Sequence, residues 1–377
     1  MRIGIDLLWV RPGKNGGTES YIRNLLDGFA QYGNSENEYY LYLSRDNAQS
    51  FENYFSNTIF VKKVMPVESA GQAKRVLWEN LHLSSQGRKD QLNLWFMPVY
   101  SRPFFMGGKI PCITVIHDLQ GLHYPEYFSK GRNLFFRFSW WIDCHTSAKV
   151  VTISEFCKKD ILSHYKIPAD KVKVIYNPII MDEEITDFSI LAEKYHIQSK
   201  QYFYTVSSLA KHKNLITLLK MIKLMKDEGE SPKLVITGVK VNAADEIMQY
   251  IADNDLEENI VYTGFISNED RNALYDNCKV FLFPSVFEGF GMPPVEAMMR
   301  GVPVVTTKET SIYEVTQGKA AYVDDCFDPA EWKNCVENLD FNLIRNPTVE
   351  KVGQLYVVDE IASDYMACFC DIVGNKV

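Results

Sequence analysis

Along the chain, short runs in which nearly every residue is apolar alternate with longer stretches whose apolar residues return every three or four positions. The runs are RIGIDL, YYLYLS, IFVKKV, LNLWFM, ITVIHD, KVVTIS and VKVIYN in the first half, and YFYTVSS, KLVITG, IVYTGFI, VFLFPS, PVVTT and AAYVD in the second. A strand buried on both faces loses its two-residue alternation and reads as a continuous apolar run, so the pattern predicts parallel sheets covered by helices. Each half is large enough for a doubly wound domain. At 377 residues the chain exceeds a usual single core. The break is expected near NPIIMDEEITDFS (177–189), where a proline follows the last strand of the first set and an acidic segment begins. The expected division is an N-terminal domain over 1–180, a C-terminal domain over 181–355, and a terminal helix, 356–377, packing back on the first domain.

The most informative corner is FEGFGMPPVEAM (287–298), between the strand-like KVFLFPS and a helix that would stop at Gly301. In open α/β sheets, ligands bind at the carboxyl ends of the strands, where helix N–H groups point into the crevice. Gly289 and Gly291 would let backbone amides approach an anion closely. Glu288 and Glu296 would repel that anion unless the ligand also carries hydroxyls, which an ionised carboxylate accepts in pairs. A nucleotide sugar has this layout, with hydroxylated sugar, diphosphate and hydroxylated ribose in a row.

Further candidates lie at other strand ends. Gly16 and Gly17 open a helix after the first strand, with Thr18 as the expected N-cap. GxGxxG and GxxxxGK[ST] patterns are both lacking, which disfavours nicotinamide and ATP. His117 and Asp118 close the ITVIHD strand before the loop GLHYPEYF; His82, His123, His145, His164, His196 and His212 have no comparable setting. Lys211 and Lys213 follow the strand YFYTVSS and would flank a crevice where a departing diphosphate needs neutralising. Asp253 and Asp255 spell a DxD, but in a polar loop between helix and strand, so no metal role is assigned to them.

Composition adds little beyond an ordinary globular enzyme, but charge divides unevenly. Residues 1–180 carry 22 Lys and Arg against 16 Asp and Glu, and the remainder 18 against 32, so the net −8 splits into +6 and −14. An anionic surface or ligand on the first half is the functional reading, chance the plain one. The eight cysteines show no Cys-x-x-Cys and read as buried reduced thiols. No run of eighteen apolar residues or charged-then-apolar leader is seen, and a cytosolic protein is expected. Nothing points to nucleic acid. The segment 124–145 mixes Lys130, Arg132 and Arg137 with Phe128, Phe135, Phe136, Phe138, Trp140 and Trp141. That suits a helix at an anionic membrane surface on the inner face of the cytoplasmic membrane, and core packing accounts for the apolar content equally well.

Five motifs together carry a family resemblance: EGFGMPPVE with its Glu-x7-Glu spacing, the KN of KHKN, VIHDL with HYPEYF, VTISEFCKKDIL followed by VIYN, and the Gly-Gly loop. Over essentially its whole length the chain resembles the retaining glycosyltransferases of group 1, or family 4. The resemblance implies the GT-B fold, an α/β architecture of two Rossmann-like domains facing a central cleft. It implies metal-independent transfer of a hexose from a nucleotide diphosphate sugar to a glycan or polyprenyl-diphosphate-linked oligosaccharide in bacterial surface polysaccharide synthesis. GDP-mannose is the first guess, with dTDP-rhamnose and UDP-hexoses open. By resemblance, Glu288 contacts the donor sugar, Glu296 the ribose, the amides near Phe290, Gly291 and Met292 the phosphates, and Lys213 the diphosphate, while His117 lies beside the sugar. Base selection is expected at Gly264, Phe265 and Ile266. Ser208 stands where many members have arginine, and Asn177-Pro178 replaces the usual Asn-Gly. A GT-B epimerase and a catalytically silent sugar-nucleotide-binding protein are the alternatives.

Overall fold

All thirteen apolar runs form strands in the structure, a computed structural model that describes residues 1–33, 36–100, 102–106, 109–181, 184–340 and 351–374. The first set comprises β1 (Arg2–Asp6), β2 (Glu38–Leu43), β3 (Phe60–Val64), β4 (Leu94–Met97), β5 (Cys112–Ile116), β6 (Lys149–Thr152) and β7 (Val172–Val174). The second comprises β8 (Tyr202–Val206), β9 (Lys233–Thr237), β10 (Ile260–Gly264), β11 (Val280–Phe283), β12 (Val304–Thr307) and β13 (Ala321–Val323). Every pairing among them is parallel, in the orders β3-β2-β1-β4-β5-β6-β7 and β10-β9-β8-β11-β12-β13. Strands such as β4, β5 and β11 are buried at every position, the burial their unbroken apolar spelling requires.

In each sheet the chain winds outward one way from the first strand and then the other way from its neighbour. The loops after β1 and β4, and after β8 and β11, therefore leave in opposite directions and open a crevice at each switch point.

The chain divides into two compact units, Met1–Ile179 with Tyr356–Val377, and Ile180–Leu355. In the first, the helix Val358–Gly374 lies along the helix Gly17–Tyr32. The fit depends on Gly28, where a Cβ would stand 2.8 Å from Val358 Cγ2, and the hydroxyls of Tyr21 and Tyr365 meet at 2.6 Å. Pro178 is held by its carbonyl, which accepts from Asn24 Nδ2 at 2.9 Å, while Ile179 N donates to Tyr356 O at 2.8 Å. The expected break at 177–189 includes residues 182 and 183, which lie outside the described residues.

Two expectations need correction. Gly16, at φ 53°, occupies the N-cap of the first helix, and the Thr18 hydroxyl turns back to donate to Asn15 O at 2.8 Å instead of capping. The cysteines are not uniformly buried: Cys335 is half-buried and Cys370 exposed, the other six being buried.

The segment 124–145 resolves into a loop and the helix Lys130–Thr146, capped by Ser129, whose Oγ accepts from Arg132 N. One face sends Phe136, Trp140 and Cys144, spaced four apart, into a cluster with Ile116 and Ile161. Another leaves Leu134, Phe138 and Trp141 exposed at 71, 47 and 47% beside Lys130 and Arg137, so the same helix carries both core-packing and exposed apolar faces. Among the described residues no helix is long and apolar enough to cross a membrane.

Candidate active site

In the second unit, the two loops leaving the β8–β11 switch point bring Lys213 and Glu288 together. After β8 the chain makes a single tight turn, Lys211–Lys213, and Asn214 follows in the left-handed region at φ 50°. Asparagine tolerates that conformation, and its side chain anchors the turn, Nδ2 donating to Cys326 O at 2.8 Å and Oδ1 accepting from Thr217 Oγ1 at 2.9 Å. The Lys213 ammonium ion-pairs with Glu288 Oε1 and lies over the Phe283 ring at 5.6 Å. Both partners are largely buried, with side-chain exposures of 17 and 13%.

The Glu288 corner is held from the loop after β12. Glu288 N donates to Thr310 Oγ1 at 3.0 Å, and Ser311 Oγ lies 2.9 and 2.8 Å from the carbonyls of Glu288 and Phe290. With these carbonyls turned to Ser311, the chain enters the helix Met292–Met299 through Gly291 at φ 97°, a conformation that strains any L side chain. Pro293 and Pro294 carry no N–H, so donors at this helix start are confined to the backbone up to Met292 and to Val295. Glu296, one turn in, accepts from Tyr275 OH at 3.2 Å. Burial, then the Glu296 charge, pushes the Tyr275 phenol well up and keeps it a donor.

Three other expected positions lie at different places in this unit. Lys211 is exposed and lines a separate cavity of about 310 Å³ with Lys220, Glu246 and Phe327, and no pairing joins it to Glu288 among the described residues. Ser208 N lies 3.2 Å from where a Cβ on Gly238 would stand, and Gly238 itself has φ 153°. Gly264, at φ 72°, ends β10 at the sheet edge and leaves Phe265 73% exposed beside half-buried Ile266.

Sequence reasoning missed His212. Its carbonyl accepts from Val286 N at 2.9 Å and Ser285 Oγ at 3.2 Å, tying the Lys211–Lys213 turn to the Glu288 corner. Burial and the adjacent Lys213 charge, opposed by Glu288, lower the His212 imidazole to about 4. Thr310, Ser311 and Tyr275 were also missed; polar residues just after a strand, as in TTKETS, are the available signal for the first two.

In the first unit, His117 is buried and its Nε2 lies 2.8 Å from Pro98 O, just beyond β4. A carbonyl only accepts, so Nε2 carries the proton and Nδ1 is left as an acceptor. Burial lowers this imidazole to about 4, and the Tyr21 ring packs edge-on at 4.8 Å.

At the β1–β4 switch point of this unit lies a cavity of about 220 Å³, reached by Arg11, Arg75, Arg102, Arg132 and the rings of Trp9 and Tyr100. Arg75 pairs with Glu79 at 2.7 Å, and burial followed by the Asp6 charge pushes that carboxyl up. Arg102 is buried, has no carboxylate within ion-pair distance among the described residues, and its Nε has no partner there. Gly16 and Gly17 are exposed near the lining residues Asn15 and Thr18.

Asp253 ends a helix and accepts from Gln249 Nε2 at 2.7 Å, and Asp255 follows at φ 51° with its carbonyl taken by Lys226.

Two parallel doubly wound sheets, one in each unit, are the architecture of the GT-B fold. The family Glycosyl transferases group 1 matches residues 187–351, and Glycosyltransferase Family 4 matches residues 15–183. The chain belongs to the group 1 glycosyltransferases. It is 28% identical to the O-antigen chain mannosyltransferase RfbU of Salmonella typhimurium over 60% of each chain. It is 29% identical to the O-antigen chain mannosyltransferase B of Escherichia coli over 60% of this chain and 61% of that one. The matched region thus spans about 60% of the length of these curated relatives. In fold it is similar to a sucrose-phosphate synthase from Thermosynechococcus elongatus (TM-score 0.80, 14% identity, 100% of both chains). It is also similar to Anabaena HepE, solved with UDP and glucose (TM-score 0.76, 19% identity, 98% of this chain and 100% of that one).

Proposed function

We propose that the chain is a retaining, metal-independent hexosyltransferase that moves a sugar, mannose from GDP-mannose as first candidate, to a glycan or polyprenyl-diphosphate-linked oligosaccharide. The observation that carries this reading is the Lys213–Glu288 pair beside a helix start at a strand switch point. Lys213 would neutralise the diphosphate as the sugar bond breaks, while the amides up to Met292 hold phosphate oxygens. A preorganised donor of this kind is typically worth about 3 kcal/mol in the transition state. Glu288, released from Lys213 by the diphosphate, would accept hydroxyls of the sugar, and Glu296, oriented by Tyr275, those of the ribose. Phe265 offers an exposed ring to the base. His117, neutral with Nδ1 as acceptor, suits a sugar hydroxyl. Retention needs no carboxylate nucleophile if the departing phosphate oxygen takes the acceptor's proton.

The arginine-lined cavity of the first unit suits an anionic acceptor such as a lipid-linked diphosphate, because it gathers four arginines, of which buried Arg102 makes no ion pair within 4.0 Å among the described residues and feels only the more distant buried carboxyl of Asp143. Leu134, Phe138 and Trp141 beside Lys130 and Arg137 would rest peripherally on an anionic membrane at the cytoplasmic face. The relatives named for O-antigen chains support a role in bacterial polysaccharide synthesis. The test is product analysis with a panel of nucleotide sugars, with and without acceptor. Transfer that requires acceptor supports the reading; an isomerised donor without acceptor, or no turnover, would replace it with an epimerase or a binding protein.

A further inference from the structure

A side-chain cluster in the first unit plays no part in this reading. Asp160 and His164 lie four residues apart on one face of the helix Glu155–His164, and His123 reaches them from the end of the short helix Gln120–His123. His123 Nε2 is 2.9 Å from both Asp160 carboxylate oxygens, and His164 Nδ1 is 3.1 Å from Asp160 Oδ1. One ligand atom from each residue falls within 4.8 Å of the other two. The carboxylate is 8% exposed and the imidazoles 35 and 38%, so the group is anchored from below and open to solvent above.

We propose that His123, Asp160 and His164 form a binding site for a divalent transition metal of the zinc class, with water completing the coordination. Imidazole and carboxylate are the donor set such ions favour, whereas magnesium prefers oxygen alone. Zinc bonds of about 2.0–2.2 Å place tetrahedral ligand atoms roughly 3.3 Å apart, so the two His–Asp160 spacings need to open by only a few tenths of an ångström, and the His123 and His164 nitrogens, within 4.8 Å of each other, need to settle at a similar separation. His164 Nδ1 also lies 2.9 Å from Asp160 O and 3.1 Å from Ser163 Oγ, so on binding His123 offers Nε2 with its proton on Nδ1, while His164 gives up the bond to the Asp160 carbonyl, carries its proton on Nε2 and offers Nδ1.

The metal would clamp two elements that flank His117. The helix Glu155–His164 contributes Cys157, whose Sγ donates to His117 O at 3.1 Å, and the helix Gln120–His123 follows His117 directly in the chain. The role is structural and does not depend on the transfer reaction.

The test uses the full chain with Cys370→Ser, to remove an exposed competing thiol, after stripping of metal. Calorimetric titration with zinc chloride should give one ion per chain, and zinc should raise the melting temperature where equimolar magnesium does not. His123→Ala and His164→Ala should each weaken zinc binding at least tenfold and abolish the zinc-induced shift, read within each variant so that altered baseline stability does not matter. Undiminished zinc affinity in His123→Ala/His164→Ala, or no zinc binding by the parent chain, would overturn the proposal.

Discussion

The Lys213 ammonium is ion-paired with the Glu288 carboxylate across 75 residues of sequence, joining the loops that leave two neighbouring strands at the switch point of the second sheet. The pair keeps a cation in place for a diphosphate. Lys213→Ala should lower kcat by roughly 10²–10³-fold, the loss typical of one preorganised charge-stabilising donor. It also leaves Glu288 largely buried without its partner, so the melting temperature should fall as well. Steady-state kinetics with thermal denaturation checks both, and unchanged kcat would remove Lys213 from the reaction.

The two glutamates should separate by ligand. Glu296→Ala is expected to weaken free nucleotide and donor sugar alike by roughly 10- to 100-fold, the range of a lost hydrogen bond to a charged group. Glu288→Ala should spare nucleotide affinity and slow transfer. Calorimetry with the bare nucleotide decides, and equal loss in both variants would merge their roles. Tyr275→Phe should give a smaller loss in the same direction as Glu296→Ala, because it removes only the group that orients Glu296.

His117 makes stability depend on pH. Its folded imidazole titrates at about 4 against roughly 6.5 when unfolded, so between these values the unfolded chain binds the extra proton. Its contribution is therefore fully present above about pH 6.5 and is lost as pH falls toward 4, by up to about 3 kcal/mol. Urea unfolding at pH 7 and pH 5 should show this slope, and His117→Asn should flatten it. His212, lowered the same way but half-buried, adds a smaller part in the same window.

Backbone geometry gives a paired test. A Cβ at Gly291 meets nothing closer than 3.8 Å, so Gly291→Ala should cost only the left-handed strain, about 1–2 kcal/mol. At Gly238 a Cβ would stand 1.9 Å from Ser207 O, and Gly238→Ala should cost clearly more and disturb the Ser208 loop. Chemical denaturation ranks the two; a milder Gly238 variant would contradict the geometry.

Membrane attachment is tested by charge reversal at Lys130 and Arg137. All three cations of this helix are exposed, but Arg132 also packs over the rings of Phe128 and Phe136 at 5.3 and 5.2 Å and is left in place. Co-sedimentation with anionic vesicles at low salt should be strong for the parent and weak for the reversed chain, with neutral vesicles binding neither. Equal failure of the parent on both vesicle types would leave a soluble acceptor.

Strands were the most legible feature, because burial on both faces, as at β11, writes itself as an unbroken apolar run. The strand-to-helix corner itself, with Gly291 at its left-handed turn and Glu288 and Glu296 on either side, was legible from a spelling that is chemically restrictive. His212 was not, because nothing in KHK distinguishes a turn folded under Glu288 from a solvated loop. Thr18 read as a cap because hydroxyl residues favour that position, but the preceding Gly16 already supplies the required backbone. The helix Lys130–Thr146 could not be apportioned between core and surface from composition, since Phe136 and Phe138 differ only in which way the helix faces.

The most direct measurement of the central claim is proton NMR of the product formed from a panel of nucleotide sugars and a glycan acceptor in excess EDTA. Transfer is expected from one donor, with the anomeric configuration of that donor kept in the new linkage and activity undiminished by chelation. An inverted linkage, or activity that collapses and returns with magnesium or manganese, would contradict it.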